Sequence, residues 1–296
     1  MRQIKLARRL DLDRSLSVFA RGKRDPSTQR DAGGAWWRAM RSPLGPTTLR
    51  LQLAGEQLQL DAFGPGAEWA LHIGPDLAGE GDSLEGFCPE GAVAELHRKL
   101  PGLRITKAHT VLQCLVLVIL EQKVVGKQAW QGYHGLYRRL GEPAPGPLPL
   151  LLPPDPQALA ELPYYEMHQM GIERRRAETI LFAARRAKRL AELPDMPLAL
   201  AKQRLAAFRG IGPWSVAELA RIALGDSDAV SVGDYHLPQV IAYNLCGQRE
   251  ADDARMLELL EPYAGHRGRV QRLIEVGGKA LPRRGPRLAP IDLRRR

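Results

Sequence analysis

Two features of this 296-residue chain could carry chemistry, and they lie close together in sequence. The first is the string Phe208-Arg209-Gly210-Ile211-Gly212-Pro213-Trp214, set between two helical patterns. Gly210 and Gly212 permit positive φ and close approach of backbone to a ligand. Ile211 can plug the turn into a core, and Pro213 suits the first turn of the second helix. Amides at such a helix start lack intrahelical acceptors, point outward and make an anion site for a phosphate. A site of this kind, running from Phe208 to Ser215, grips a nucleic-acid backbone without reading its sequence. A G-x-G alone would fit an ordinary turn between helices with a glycine cap; the longer string favours a DNA-binding hairpin. The second feature is Asp234, twenty-two residues after Gly212, where an extended apolar stretch meets a helical pattern. Aspartate is among the best helix caps, so the spacing by itself leaves capping and catalysis both open.

The elements that must position these residues divide the chain in two. Up to about residue 90, Leu49, Leu51 and Leu53, then Leu58 and Leu60, alternate with polar residues on either side of Gly55. That is the period of half-buried strands joined by a turn. The segment 68–73 (EWALHI) reads as another short extended piece, so residues 1–90 are expected to form a small sheet-containing α+β module. From residue 91 the period becomes helical. Residues 105–129 are apolar nearly all round over two turns, as in a helix buried between helices. Prolines in 142–156 break the chain into a loop, with Asp155 placed to cap the next helix. In 171–190, Ala177, Ile180, Leu181, Ala184 and Ala187 form one stripe, with Arg174, Arg175, Arg185, Arg186 and Arg189 away from it. A further helix over 197–208 leads into the hairpin.

Charge divides along the same line. Residues 51–100 hold nine acids and two bases, a net of −7, so the net of +10 leaves +17 for the rest. The bases cluster in the first 30 residues, in Arg174–Arg189 and in Lys279–Arg296, and clustered bases suit a polyphosphate partner. The run Leu115–Leu120 is too short to span a bilayer, which needs about 20 residues, and the N-terminus has no apolar core of a secretory signal. Cys88, Cys114 and Cys246 are too few and too scattered for a disulfide framework or a zinc or iron–sulfur site. These features together imply an intracellular, cytoplasmic protein.

The strings GIGPW and VGDYHL resemble the helix-hairpin-helix plus Gly/Pro…Asp signature of the DNA glycosylase superfamily, and most closely its bacterial 3-methyladenine glycosylase II branch. The stretch ILEQKVVGKQAW (119–130) is similar to the family's segment after its first buried helix, in which Gln122 and then Lys123 would probe the duplex. The early sheet module and the segment GPRLAPIDLR also look like parts of that branch. The resemblance implies a mainly α fold of two helical lobes (91–296, with a basic C-terminal tail) carrying the N-terminal α+β module. It implies a monomer acting on double-stranded DNA. Asp234 would be the catalytic carboxylate that stabilises an oxocarbenium-like sugar and orients water. Trp214 and Glu218 would line the base pocket. Lyase-competent relatives carry a lysine where this chain has Trp214, so hydrolysis without a Schiff base is expected.

Lys123 stands where the resemblance suggests an apolar wedge, and Glu218 where the alkylbase branch can carry an aromatic. Trp130, Tyr133 and Tyr137 share a helical spacing that suits a core, and Tyr164-Tyr165 suits packing. No iron–sulfur cluster, metal or other cofactor is expected, apart from a monovalent cation that hairpin carbonyls could hold. Two other readings stay open: a non-catalytic hairpin protein that binds damaged DNA, and an 8-oxoguanine-type enzyme without lyase activity.

Overall fold

The computed structural model describes residues 1–281, so the arginine-rich tail beyond Leu281 lies outside the described residues. Five strands, β1 (Arg2–Lys5), β2 (Thr28–Arg30), β3 (Trp36–Ser42), β4 (Gly45–Ala54) and β5 (Gln57–Phe63), form an antiparallel sheet in the order β1-β5-β4-β3-β2. The leucine alternation sets the register. Leu51 faces Leu60 and Leu53 faces Leu58 across the Gly55–Glu56 turn, and Leu49, Leu51, Leu58 and Leu60 are fully buried.

A short helix, α1 (Leu12–Leu16), precedes β2; α2 (Ala67–Leu77) comes after the sheet. The expectation of an extended piece at 68–73 is therefore corrected: this segment is helical. Ala70, Ile73, Gly74 and Leu77 are its buried face, a spacing of three and four that a six-residue window is too short to reveal. Gly74 sits directly against Leu60 and Leu49, so the helix lies flat on the sheet.

The remaining helices are α3 (Gly91–Lys99), α4 (Val111–Glu121), α5 (Gly126–Leu140), α6 (Pro156–Glu161), α7 (Tyr164–Gln169), α8 (Arg174–Ala184), α9 (Ala187–Ala191), α10 (Leu198–Ala206), α11 (Pro213–Ala223), α12 (Leu237–Cys246), α13 (Asp253–Leu260) and α14 (Arg267–Gly277). Asp155 caps α6, accepting from the amides of Gln157 (2.9 Å) and Ala158 (3.1 Å). The expected single helix over 171–190 is two, α8 and α9, interrupted at Arg185–Arg186. Ala177, Ile180 and Ala184 are buried as expected, but Arg176 is buried as well and donates to the Leu120 carbonyl at the end of α4.

Two apolar cores organise these elements. The larger joins Leu49 and Leu60 of the sheet to Leu115 and Ile119 of α4, Ile180 of α8, Leu205 of α10 and Leu219 of α11. The smaller joins Val93 and Leu96 of α3 to Ile241 of α12, Met256 and Leu260 of α13, and Val270 and Leu273 of α14. After α2 the chain leaves the larger core for the smaller, against which Phe87 and α3 pack. It then returns through 100–110 to build α4.

Three of the acids of residues 51–100 are engaged by partners within the protein. Asp61 pairs with Arg50 (2.9 Å), Asp76 with His109 (2.8 Å) and Asp82 with Arg269. The His109 hydrogen bond outweighs burial and holds the Asp76 carboxyl below its ordinary value. Asp82 and Arg269 are each under 5% exposed, and Asp82 Oδ2 accepts from Arg269 (2.8 Å) and from the Ile105 amide (3.1 Å). One carboxylate therefore ties the loop after α2, the strand-like lead into α4, and α14. Removing a partner of a buried pair strands the other charge. Asp82→Ala is expected to lower unfolding stability by about 3–5 kcal/mol in urea melts; a loss under about 1 kcal/mol, the range of surface ion pairs, would contradict this role.

Candidate active site

The hairpin is the turn between α10 and α11. The Ile211 amide donates to the Phe208 carbonyl (3.0 Å), closing the turn. Ile211 is buried in the larger core, and Phe208 packs edge-on against Phe182 of α8. Gly210 lies at φ +86, and a Cβ there would stand 2.3 Å from Thr179 Oγ1 of α8, so both backbone and packing demand glycine. Gly212 differs from the expectation: its φ is −92, which any residue adopts. Its contribution is space. A Cβ would meet nothing within 4 Å, and Gly212 opens α11 without a side-chain cap. A helix start with open space at Gly212 and no side-chain cap suits an anion.

Gln122 fastens this turn to the end of α4. Its Nε2 donates to the Gly210 carbonyl (3.0 Å) and to Ser215 Oγ (2.9 Å). Ser215 is buried, so it acts as the acceptor behind the hairpin rather than on its outer surface. The amide of Gln122 is thus turned inward. Lys123, the next residue, is exposed and holds φ +53, a conformation unusual for a residue with a Cβ. Gln122 and Lys123 point to opposite tasks, one holding the hairpin and one projecting from it.

Asp234 reaches the hairpin from the far side. One carboxylate oxygen, Oδ1, accepts from the amides of His236, the N-cap residue of α12, and Leu237, its first residue, both at 2.8 Å, and so holds the turn leading into α12. The other, Oδ2, accepts from the indole Nε1 of Trp214 at 3.2 Å. Holding this turn and a functional role are compatible because they use different oxygens. Trp214 sits in the first turn of α11, immediately after Gly212 and Pro213, so this carboxylate stands beside the hairpin. Tyr235, beside Asp234, is 80% exposed.

Glu218 lies one turn beyond Trp214, on the same face of α11. Its carboxylate accepts from Arg221 (2.8 and 2.9 Å) and from the Ser231 hydroxyl. Arg221 also donates to Glu275 of α14 (3.0 Å), and Gln271 of α14 accepts from the Ser231 amide (3.1 Å). Burial would raise the Glu218 carboxyl, but Arg221 and the Ser231 hydroxyl hold it below its ordinary value. Burial opposes the Arg221 charge too, and Glu218 and Glu275 more than offset this, raising it. The network anchors Ser231, three residues before Asp234. Sequence reasoning misses Arg221, Ser231, Gln271 and Glu275, since none belongs to a motif and their partners are distant in the chain.

Of the aromatic residues considered, Tyr133 and Tyr137 are buried, while Trp130 is half-exposed and stacks on His134 at 4.0 Å. Tyr165 is exposed rather than packed. Among the described residues no three His, Cys, Asp or Glu side chains gather as metal ligands.

No family model matches the chain. A search of curated proteins finds a Bacillus subtilis (strain 168) protein named "Putative DNA-3-methyladenine glycosylase YfjP", 26% identical over 154 residues, 51% of this chain and 52% of that one. The chain thus spans about half the length of this relative. Among solved structures, the 3-methyladenine DNA glycosylase of Archaeoglobus fulgidus superposes with a TM-score of 0.79 at 18% identity, covering 93% of this chain and 97% of that chain. The 8-oxoguanine glycosylase/lyase of Clostridium acetobutylicum superposes with a TM-score of 0.70 at 11% identity, covering 93% and 95%. The chain has the helix-hairpin-helix DNA glycosylase fold.

Within that fold, the contact between Trp214 and Asp234 can be tested directly. Trp214→Phe keeps an aromatic ring but deletes the donor to Oδ2. A hydrogen bond to a charged group contributes roughly 1.5–3 kcal/mol. If Asp234 acts chemically, single-turnover base release is expected to fall about 10- to 100-fold, with duplex affinity little changed. Unchanged release would show that the indole N–H does not serve the carboxylate.

Proposed function

We propose that the chain is a DNA glycosylase of base excision repair that hydrolyses the N-glycosidic bond of damaged purines in double-stranded DNA, with alkylated purines of the 3-methyladenine type as its substrates. One observation carries this reading: the Asp234 carboxylate stands within a hydrogen bond of the first turn of the hairpin's second helix. A carboxylate next to an anion site suits a reaction in which a phosphate is held while positive charge develops on the neighbouring sugar.

The damaged nucleotide must leave the stack to be reached. The α11 amides beyond Gly212 would hold a phosphate beside it. As the C1′–N bond breaks, its electron pair leaves with the base and the sugar becomes oxocarbenium-like. Asp234 would stabilise that charge electrostatically. It would also orient a water whose oxygen bonds to C1′, and take up the water's proton. Oδ2 is the oxygen free of the turn leading into α12 and is the better placed for this work. Trp214 supports an alkylated substrate, because an indole face attracts an electron-poor or cationic base. It also supports hydrolysis alone, since no amine occupies the position where the lyases of this superfamily carry lysine.

Asp234→Asn is expected to reduce release of 3-methyladenine from methylated duplex by about 10²–10⁴-fold; full activity in this variant would remove Asp234 from the mechanism. A panel of 3-methyladenine, 7-methylguanine, hypoxanthine, 8-oxoguanine and uracil duplexes sets the substrate, and release of 8-oxoguanine alone would overturn the alkylpurine assignment. Borohydride is expected to trap no protein–DNA adduct. A trapped adduct would overturn hydrolysis without a Schiff base.

A further inference from the structure

On the outer side of the hairpin, α8 and α10 enclose two adjoining clefts that share Phe182. One, of about 610 Å3, is lined by Phe182, Arg186, Arg189, Glu192, Arg204 and Phe208. The other, of about 460 Å3, runs past Arg175, Arg185 and Arg209 to Gly210 of the hairpin. Together they hold six arginines against two glutamates, Glu178 and Glu192, four net positive charges around one groove. Glu178 is moreover engaged by Arg174 at 2.8 Å, and Arg204 pairs with Glu192 at 2.7 Å at the end remote from the hairpin.

The groove is more ordered than a solvated basic face. The Arg186 guanidinium carbon lies 3.5 Å from the centre of the Phe182 ring, and its NH1 donates to the Phe182 carbonyl at 3.3 Å. Phe182 is itself fixed edge-on by Phe208, at 6.0 Å between ring centres. An arginine stacked in this way has already lost much of its rotamer freedom, so gripping an anion costs less entropy. The floor is apolar and the rim is cationic. That pairing fits a chain of phosphates joined by sugars better than it fits a lone anion, which would leave the aromatic floor idle.

We infer that this groove is a second DNA contact, receiving the sugar–phosphate backbone of the strand that continues past the phosphate held at the hairpin. The inference rests on the proposed binding of DNA at that hairpin. It lengthens the footprint beyond the hairpin, because the clefts run along α8 past Gly210, from Arg175 to Arg189. Each phosphate neutralised adds about 0.9 to the steepness of the logarithmic salt dependence of duplex binding.

The test compares the full chain with Arg189→Glu, an exposed position, and with Arg186→Ala/Arg204→Ala. Affinity is measured across a salt series for duplexes extended to the 5′ or to the 3′ side of a stable abasic analogue, and for an undamaged duplex. Wild type is expected to gain affinity on lengthening, and both variants to lose that gain. The salt slope of the variants is expected to be flatter by about one unit per arginine removed. Arg189→Glu, at an exposed position, is expected to keep the wild-type melting temperature, which separates a lost contact from a lost fold. Variants that match wild type in both length dependence and slope would overturn the inference. Binding to the undamaged duplex requires no catalysis. A wild type that releases no base, with the variants still flattening the slope, would therefore reject the proposed function and leave the groove standing.

Discussion

A carboxylate at the head of one lobe has to stay within a hydrogen bond of a hairpin built by the other. Asp234 lies just ahead of α12, whose buried face belongs to the smaller core, while Trp214 and the hairpin rest on the larger one. A 3.2 Å contact between them cannot hold two lobes in register. The register is set nearby, by Glu218 and Arg221 of α11, Ser231 of the connecting loop, and Gln271 and Glu275 of α14. Arg221, Ser231 and Gln271 are buried, and low exposure strengthens their interactions and makes misplacement costly. The lobes can therefore come together in few ways, and the favoured one sets Asp234 beside the hairpin. Glu218 is best understood through this arrangement, since its charge is already engaged by Arg221 and Ser231.

The distribution of charge has a similar logic. The sequence separates an acidic stretch from basic clusters, and a solvated acidic face would be the simple outcome. Instead Asp61, Asp76 and Asp82 bind partners within the protein, and Asp82 joins three segments through Arg269 and the Ile105 amide. Each of these three pairings offsets one negative charge of the acidic stretch. The arginines of α8, α9 and the turn between them, by contrast, largely remain on the surface, where Arg175, Arg185 and Arg189 line the clefts beside the hairpin.

What can be read from the sequence is local. The strand pair around Gly55 comes from alternation, the cap at Asp155 from residue type, and the hairpin from glycines and a proline at short spacing. Asp234 can be located, although only the family resemblance gives it a task beyond capping. The errors also have physical causes. The segment 68–73 of α2 reads as extended because six residues with four apolar members satisfy either period. Residue type alone suggests a positive φ at Gly212, whereas the turn needs that conformation only at Gly210. Gln122 reads as a probe, but its inward amide depends on where Gly210 and Ser215 arrive, 88 and 93 residues later. Arg221 and Glu275, 54 residues apart, carry no pattern that could announce their pairing.

The position of α3 has a consequence for how the molecule is made. Its apolar residues Val93 and Leu96 have no partners in the helices that come directly after it; they pack against α12, α13 and α14, the last helices among the described residues. A chain emerging in order from its N-terminus can complete the sheet and the hairpin lobe while α3 still lacks its cover. The second core closes only when residues up to about Ile274 are available. The hairpin can therefore form before the loop bearing Asp234 is locked by Gln271 and Glu275. Assembly orders the two halves of the candidate site, the turn first and the fixed carboxylate last.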